Sequence, residues 1–119
     1  MSNPFGVPGI SVREVATLRG GKDDVILLDV REPHELQKAN LGESITAVPL
    51  SELASKQLAA LPATIADNKE AHVVVLCHHG GRSAQVVAWL RQQGWTNVFN
   101  IDGGIDAYAL QIDPSVGRY

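Results

Sequence analysis

The sequence predicts an α/β fold: a central, mostly parallel sheet with helices on both faces. Two short segments, VILLDV (Val25–Val30) and HVVVL (His72–Leu76), are apolar runs rich in β-branched residues. They lack the polar alternation of a half-exposed strand, so both faces of each are covered. Stretches carrying helix start and stop signals alternate with such strands along the chain. That alternation implies parallel strands joined by helical crossovers.

Residues 1–9, with Pro4, Gly6, Pro8 and Gly9, read as an irregular lead-in. Ser11 and Glu14 fit a capping box, in which each side chain satisfies the other's backbone N–H. They open a short helix that Gly20-Gly21 ends. After the strand at Val25–Val30, Pro33 suits the first turn of a helix running to about Lys38. Ala47-Val48 is a brief strand stopped by Pro49, and Ser51 can cap a helix to about Ala60. The His72–Leu76 strand follows, then a helix over Ser83–Gln93 that Gly94 closes in the left-handed conformation. Val98–Ile101 is a last strand, Gly103-Gly104 a turn, and Ile105–Leu110 a final helix before a tail over 111–119.

The 119 residues suit one domain, 1–119, with one core. A net charge of -3 offers no basic footprint, so neither nucleic acid nor an anionic membrane surface is an expected partner. No run approaches the roughly 20 apolar residues of a membrane span. The start, MSNPFGVPGI, has neither a basic region nor an apolar run, so no secretory signal is expected. The single cysteine, Cys77, excludes an intramolecular disulfide and suits a reducing cytoplasm. Whatever Cys77 takes up must leave to another molecule, because the chain has no resolving thiol.

In open parallel sheets, ligands bind beyond the carboxyl ends of the strands. Cys77 stands at that end of its strand, and Asp29-Val30-Arg31 at that end of the earlier one. An ordinary cysteine, with a pKa of about 8.5, is only slightly ionised at neutral pH, so a reactive thiolate needs N–H donors, a helix N-terminus or a cation. CHHGGRS, Cys77–Ser83, offers all three. Gly80 and Gly81 allow a loop that turns N–H groups inward, the following helix points its positive end there, and Arg82 adds a charge. The same residues also fit a plainer role, a buried cysteine ending a strand before an ordinary turn. A zinc site fits poorly, since Cys77, His78 and His79 are contiguous and His34 and His72 lie elsewhere. A phosphate loop fits worse, with no lysine after the glycines. No metal or other cofactor is expected.

Four residues separate Cys77 from Arg82. This C-H-H-G-G-R resembles the six-residue active loop, often C-x-x-G-x-R, of the rhodanese family of sulfurtransferases. Cysteine-dependent phosphatases related by fold carry one more residue there, so the resemblance favours a sulfane sulfur on Cys77 over a phosphoryl group. LLDVREPHEL resembles the family's aspartate-valine-arginine motif, which implies that Arg31 pairs with Glu35 to hold the loops. ISVREVATL is similar to an opening strand and helix, bringing the sheet to about five strands. IDGGIDAY resembles the closing glycine pair and its helix. Ala39–Ser44 departs from the glycine-histidine-isoleucine-proline-glycine-alanine often found there, and Tyr108 stands where tryptophan is common. The tail IDPSVGRY resembles rhodanese domains fused to adenylyltransferases that activate sulfur carriers.

The resemblance implies thiosulfate-type sulfur transfer through a Cys77 persulfide. A small anionic sulfur donor and a thiol, cyanide or sulfur-carrier protein acceptor are the partners it implies. His78 and His79 stand where side chains point outward; their ordinary pKa near 6.5 would let partial positive charge attract an anionic donor. Equally, they serve as solvated side chains that supply only N–H groups. Arg82 is expected as a brace on a carboxylate, Asp29 and Arg31 as structural supports, and Gly103-Gly104 as a turn close to the site. Ser83 can cap the helix and lend its hydroxyl to the loop. Trp89 and Trp95 are expected in packing roles. A phosphatase or arsenate-reductase activity and a non-catalytic regulatory module are the alternative readings.

Overall fold

The computed structural model describes residues 6–20, 25–42 and 45–119. Five strands form one sheet in the order β1-β5-β4-β2-β3, every pair parallel. The strands are β1 (Gly9–Ile10), β2 (Val25–Asp29), β3 (Ile45–Ala47), β4 (His72–Leu76) and β5 (Val98–Ile101). The described helices are α1 (Val12–Gly20), α2 (Pro33–Leu36), α3 (Leu50–Lys56), α4 (Ala63–Ala66), α5 (Gly81–Gln92) and α6 (Gly104–Gln111). Two 3₁₀ turns, Gln57–Ala60 and Pro114–Val116, complete the described elements.

Strand alternation divides the core into two layers. Val73, Val75 and Cys77 face one cluster with Leu53, Ile65, Val86, Val87 and Leu90, from α3, α4 and α5. Val74 and Leu76 face the other, with Val12, Val15, Ile105 and Tyr108 from α1 and α6. Both layers are apolar because side chains at i and i+1 on a strand point to opposite faces. This is why β2 and β4 read as continuous apolar runs. None of the described helices is long and apolar enough to cross a membrane.

The capping box at α1 is present: the Glu14 N–H donates to Ser11 Oγ at 3.1 Å, and the Ser11 N–H to Glu14 Oε1 at 3.4 Å. Several boundaries differ from the sequence reading. The lead-in already contains β1, whose two residues pair with Asn100 and Ile101. The β3 strand is Ile45–Ala47, ending before Val48 rather than spanning Ala47-Val48. The α3 helix is capped by Pro49, and Ser51 lies inside it with its hydroxyl donating to Glu32 Oε1 at 2.7 Å. The α5 helix begins at Gly81, so Ser83 is its third residue and Gly80, at φ 106°, is the cap. Residues 1–5, Gly21 and Glu43-Ser44, part of the lead-in, the first helix end and the divergent segment, lie outside the described residues.

The topology sets the site. In the strand order, β2 and β4 are adjacent, with β3 beyond one and β5 beyond the other. Chain direction across the sheet therefore reverses between β2 and β4. At such a switch point the loops leaving the two strands diverge and leave a crevice. Those loops start with Val30-Arg31 and with Cys77.

Candidate active site

Cys77 follows the last residue of β4 and is 1% exposed. The Gly80 N–H donates to its Sγ at 3.1 Å, and Ser83 Oγ lies 3.3 Å from it. A left-handed residue at Gly80 turns this N–H back toward the strand end, which an L side chain would disfavour. The geometry thus brings together Cys77, the glycines and Ser83 as a loop closed around sulfur.

Glycine is required a second time, on the opposite wall. A Cβ on Gly104 would overlap the carbonyl oxygens of Cys77 and His78. Its absence lets α6 start directly against the loop. The Ile105 N–H then donates to Cys77 O at 2.9 Å, and the Asp106 N–H to His78 O at 3.1 Å. Gly103-Gly104 therefore lie against the Cys77 loop.

Arg82 braces the loop from the other side. Its Nη1 and Nη2 donate to Glu35 Oε2 and Oε1, each at 2.7 Å. This bidentate contact holds the Glu35 carboxyl at about 2, well below the usual range, with the Arg82 hydrogen bonds as the main cause. The same contact raises Arg82 further. The expected Arg31–Glu35 side-chain pair does not form. Asp29 and Arg31 lie two residues apart on the extended chain, so their side chains share a face. Arg31 is accordingly bound by Asp29, Nη2 to Oδ2 at 2.8 Å and Nε to Oδ1 at 3.0 Å, with both residues fully buried. It reaches Glu35 only at the backbone carbonyl, 3.3 Å from Nη1. No hydrogen bond joins Asp29 or Arg31 to Cys77 among the described residues.

The two histidines diverge. His78 is half-buried, its ring stacked on His79 at 3.9 Å and on Tyr119 at 3.8 Å. Burial, and then the neighbouring His79, push its pKa below the ordinary value. The expectation of two outward, partly charged imidazoles therefore fails for His78, because the tail covers it. His79 remains exposed, with Nδ1 3.9 Å from Asp106 Oδ2.

Tyr119 and Asn100 belong to the site and were not singled out from the sequence. The Tyr119 hydroxyl donates to Glu35 Oε1 at 3.2 Å and accepts from Arg31 Nη1 at 3.3 Å. It therefore ties the Asp29–Arg31 pair to the Glu35–Arg82 brace. Asn100, fully buried on β5, accepts a hydrogen bond from Ser83 Oγ. A lone polar residue inside VFNI was the available signal for Asn100, while nothing local marked Tyr119. Trp95 is core, its Nε1 donating to Ile65 O at 2.9 Å, and Trp89 is half-buried on α5. The described residues hold no cluster of three or more histidine, cysteine or acidic side chains placed for a metal.

Comparison with known proteins places this architecture. Residues 11–111 match the Rhodanese-like domain family. Rhodanese-like/PpiC domain-containing protein 12, chloroplastic, of Arabidopsis thaliana is 43% identical over 97 residues, 82% of this chain and 31% of that protein. Adenylyltransferase and sulfurtransferase MOCS3-1 of Zea mays is 38% identical over 114 residues, 92% of this chain and 23% of that protein. A protein named Sulfurtransferase from Allochromatium vinosum is 34% identical over 87 residues, 73% of this chain and 74% of its own length. The crystal structure of SSP1007 from Staphylococcus saprophyticus superposes with a TM-score of 0.71 at 27% identity, covering 88% of this chain and 96% of that one. The chain thus spans less than a third of the length of the first two relatives.

Proposed function

Since this chain belongs to the rhodanese-like domain family, we propose that it transfers sulfane sulfur as a persulfide on Cys77. The relatives' names support sulfur transfer in general. The observation that carries the proposal for this chain is the cradle itself: a strand-end sulfur receiving the Gly80 N–H at 3.1 Å, under the start of α5. Such a site stabilises negative charge on sulfur through an oriented N–H and the helix dipole.

In the first half-reaction the Cys77 thiolate attacks the outer sulfur of a thiosulfate-type donor. The donor's S–S bond breaks, its electron pair leaves with sulfite, and Cys77–S–S⁻ remains. The charge now sits one atom further out, where the loop N–H groups and the α5 N-terminus face it. In the second half-reaction a nucleophile attacks the terminal sulfur, and Cys77 leaves as the thiolate. Cyanide serves as acceptor in an assay; a thiol or sulfur-carrier protein is the acceptor we propose in the cell. The apolar cluster behind Cys77 keeps water from the inner sulfur. With no second cysteine in the chain, the persulfide is not resolved internally. A lone unpaired thiol also supports a reducing compartment such as the cytoplasm.

The phosphatase alternative is disfavoured by loop length: four residues, one fewer than in the related phosphatases, separate Cys77 from Arg82. Incubation with thiosulfate should add the mass of one sulfur atom to the intact protein, removable by cyanide or dithiothreitol. The Cys77→Ser protein should gain none and remain folded. An unmodified wild-type mass would overturn the proposal.

A further inference from the structure

We infer that Asn100 is a positioning residue: it claims the single hydrogen of the Ser83 hydroxyl and thereby restrains ionisation of Cys77. Asn100 is fully buried, opposite Val75 in the β4–β5 register. A buried amide between apolar strands needs partners for both ends. Its Nδ2 donates to Asp102 Oδ1 at 3.2 Å. Only the nitrogen end can donate to a carboxylate, so this contact fixes the amide and turns Oδ1 toward Ser83.

Three acceptors surround the Ser83 hydroxyl: Asn100 Oδ1, Gly80 O at 3.2 Å and Cys77 Sγ at 3.3 Å. The hydroxyl has one hydrogen. Gly80 O already receives the Ala84 N–H at 3.2 Å. Among the described residues, Asn100 Oδ1 has no donor other than Ser83. Leaving a buried carbonyl without a donor is costly, so the hydrogen goes to Asn100. Ser83 consequently turns lone pairs toward Cys77 and suits the protonated thiol, whose S–H it can accept. A thiolate is a charged acceptor and gains from every donor. Gly80 supplies one; Ser83 supplies a second only by abandoning Asn100. The cost of abandoning it opposes ionisation.

The charged and titratable groups around Cys77 are Arg82 of α5 with its partner Glu35, His78 and His79 of the loop, Tyr119 of the tail, Asp106 of α6, and Asp102 beyond Asn100. Substitutions at Asn100 and Ser83 retain every one of these residues; those at Asn100 also remove the Nδ2 donor to Asp102, a loss that the Ser83→Ala background carries equally and so cancels in the comparison.

The inference rests on Cys77 being the nucleophile, but its test reads ionisation and not sulfur transfer. Thiolate ultraviolet absorbance is followed against pH in the wild type, Asn100→Ala, Asn100→Val, Ser83→Ala and the Asn100→Ala/Ser83→Ala double variant. Freeing the Ser83 hydrogen for a charged acceptor should lower the midpoint by about one pH unit in both Asn100 variants. In the Ser83→Ala background, Asn100→Ala should shift it no further. Unchanged midpoints in the Asn100 variants, or an equal shift without Ser83, overturn the inference. Ser83→Ala alone is an independent test if the buried amide proves essential for folding. A rise of about one pH unit there would mean that Ser83 already donates to the thiolate, and would also overturn it. A wild-type protein that ionises as described but takes no sulfur from thiosulfate would count against the proposed function alone.

Discussion

Arg82 and Glu35 meet end to end, both guanidinium tips 2.7 Å from the two carboxylate oxygens. Only part of the Arg82 side chain, 34%, is exposed, and 10% of that of Glu35. Replacing Glu35 by Gln keeps the shape and removes the charge. Loss of a charge-assisted contact of this kind should cost about 2 kcal/mol in urea unfolding. The loop it holds should loosen, lowering kcat for sulfur transfer more than it raises KM.

The same pair sets an acid window. The Glu35 carboxyl is lowered from about 4.5 to about 2 in the folded protein. A group depressed by folding contributes fully above its unfolded value and loses that contribution as pH falls toward the folded one. Stability should therefore decline between about pH 4.5 and about pH 2, and this portion should be missing from Glu35→Gln. Equal acid slopes in the two proteins would show that Glu35 is not the group responsible.

For thiosulfate steering, the two histidines should not be equivalent. His79 is exposed, whereas His78 is stacked and held below its ordinary pKa. His79→Ala should raise KM for thiosulfate roughly two- to fivefold, the scale of one solvent-screened charge contact, with little change in kcat. His78→Ala should add little to KM. A larger KM effect from His78 would mean that the ring reaches the donor.

Tyr119 offers two separable contributions. Tyr119→Phe keeps the stack on His78 and loses the hydroxyl between Arg31 and Glu35, a loss of about 1 kcal/mol. Tyr119→Ala also loses the ring contact, bringing the cost to about 2 kcal/mol. Chemical denaturation of the two variants distinguishes them, and equal values would assign the whole effect to the hydroxyl.

Gly104→Ala should be among the more damaging single methyls at the described glycines. The added carbon meets the backbone oxygens of Cys77 and His78, which no rotamer change can move, at a φ of 64° that already disfavours alanine. A cost of about 3 kcal/mol or more is expected. Failure of the variant to load sulfur while still folded would locate the strain in the loop.

The parts of this fold legible in the sequence are those whose signal is local. His72–Leu76, apolar after its first residue, and Val98–Ile101, apolar but for Asn100, both have the bounds their sequence implies. The four-residue α4 at Ala63–Ala66 is too short for helical periodicity to register. The Cys77–Ser83 loop is legible because its spacing is itself the signal. Partnerships across the chain are not. Nearness in sequence assigns Glu35 to Arg31, whereas its carboxylate is taken by Arg82, on a helix that packing alone brings close. Tyr119 ends a tail without helix or strand periodicity, and its role depends on where α6 and the following 3₁₀ turn deliver it.

The start of α6 has one more effect. Its first N–H groups hold the carbonyls of Cys77 and His78. In a trans peptide the C=O and the following N–H point opposite ways. Pinning those two oxygens toward α6 therefore aims the N–H groups of His78 and His79 away from it. Two consecutive peptide planes are set by a contact that touches no side chain. The late helix acts as a mould for the loop, and the polarity of the loop's backbone is inherited from it.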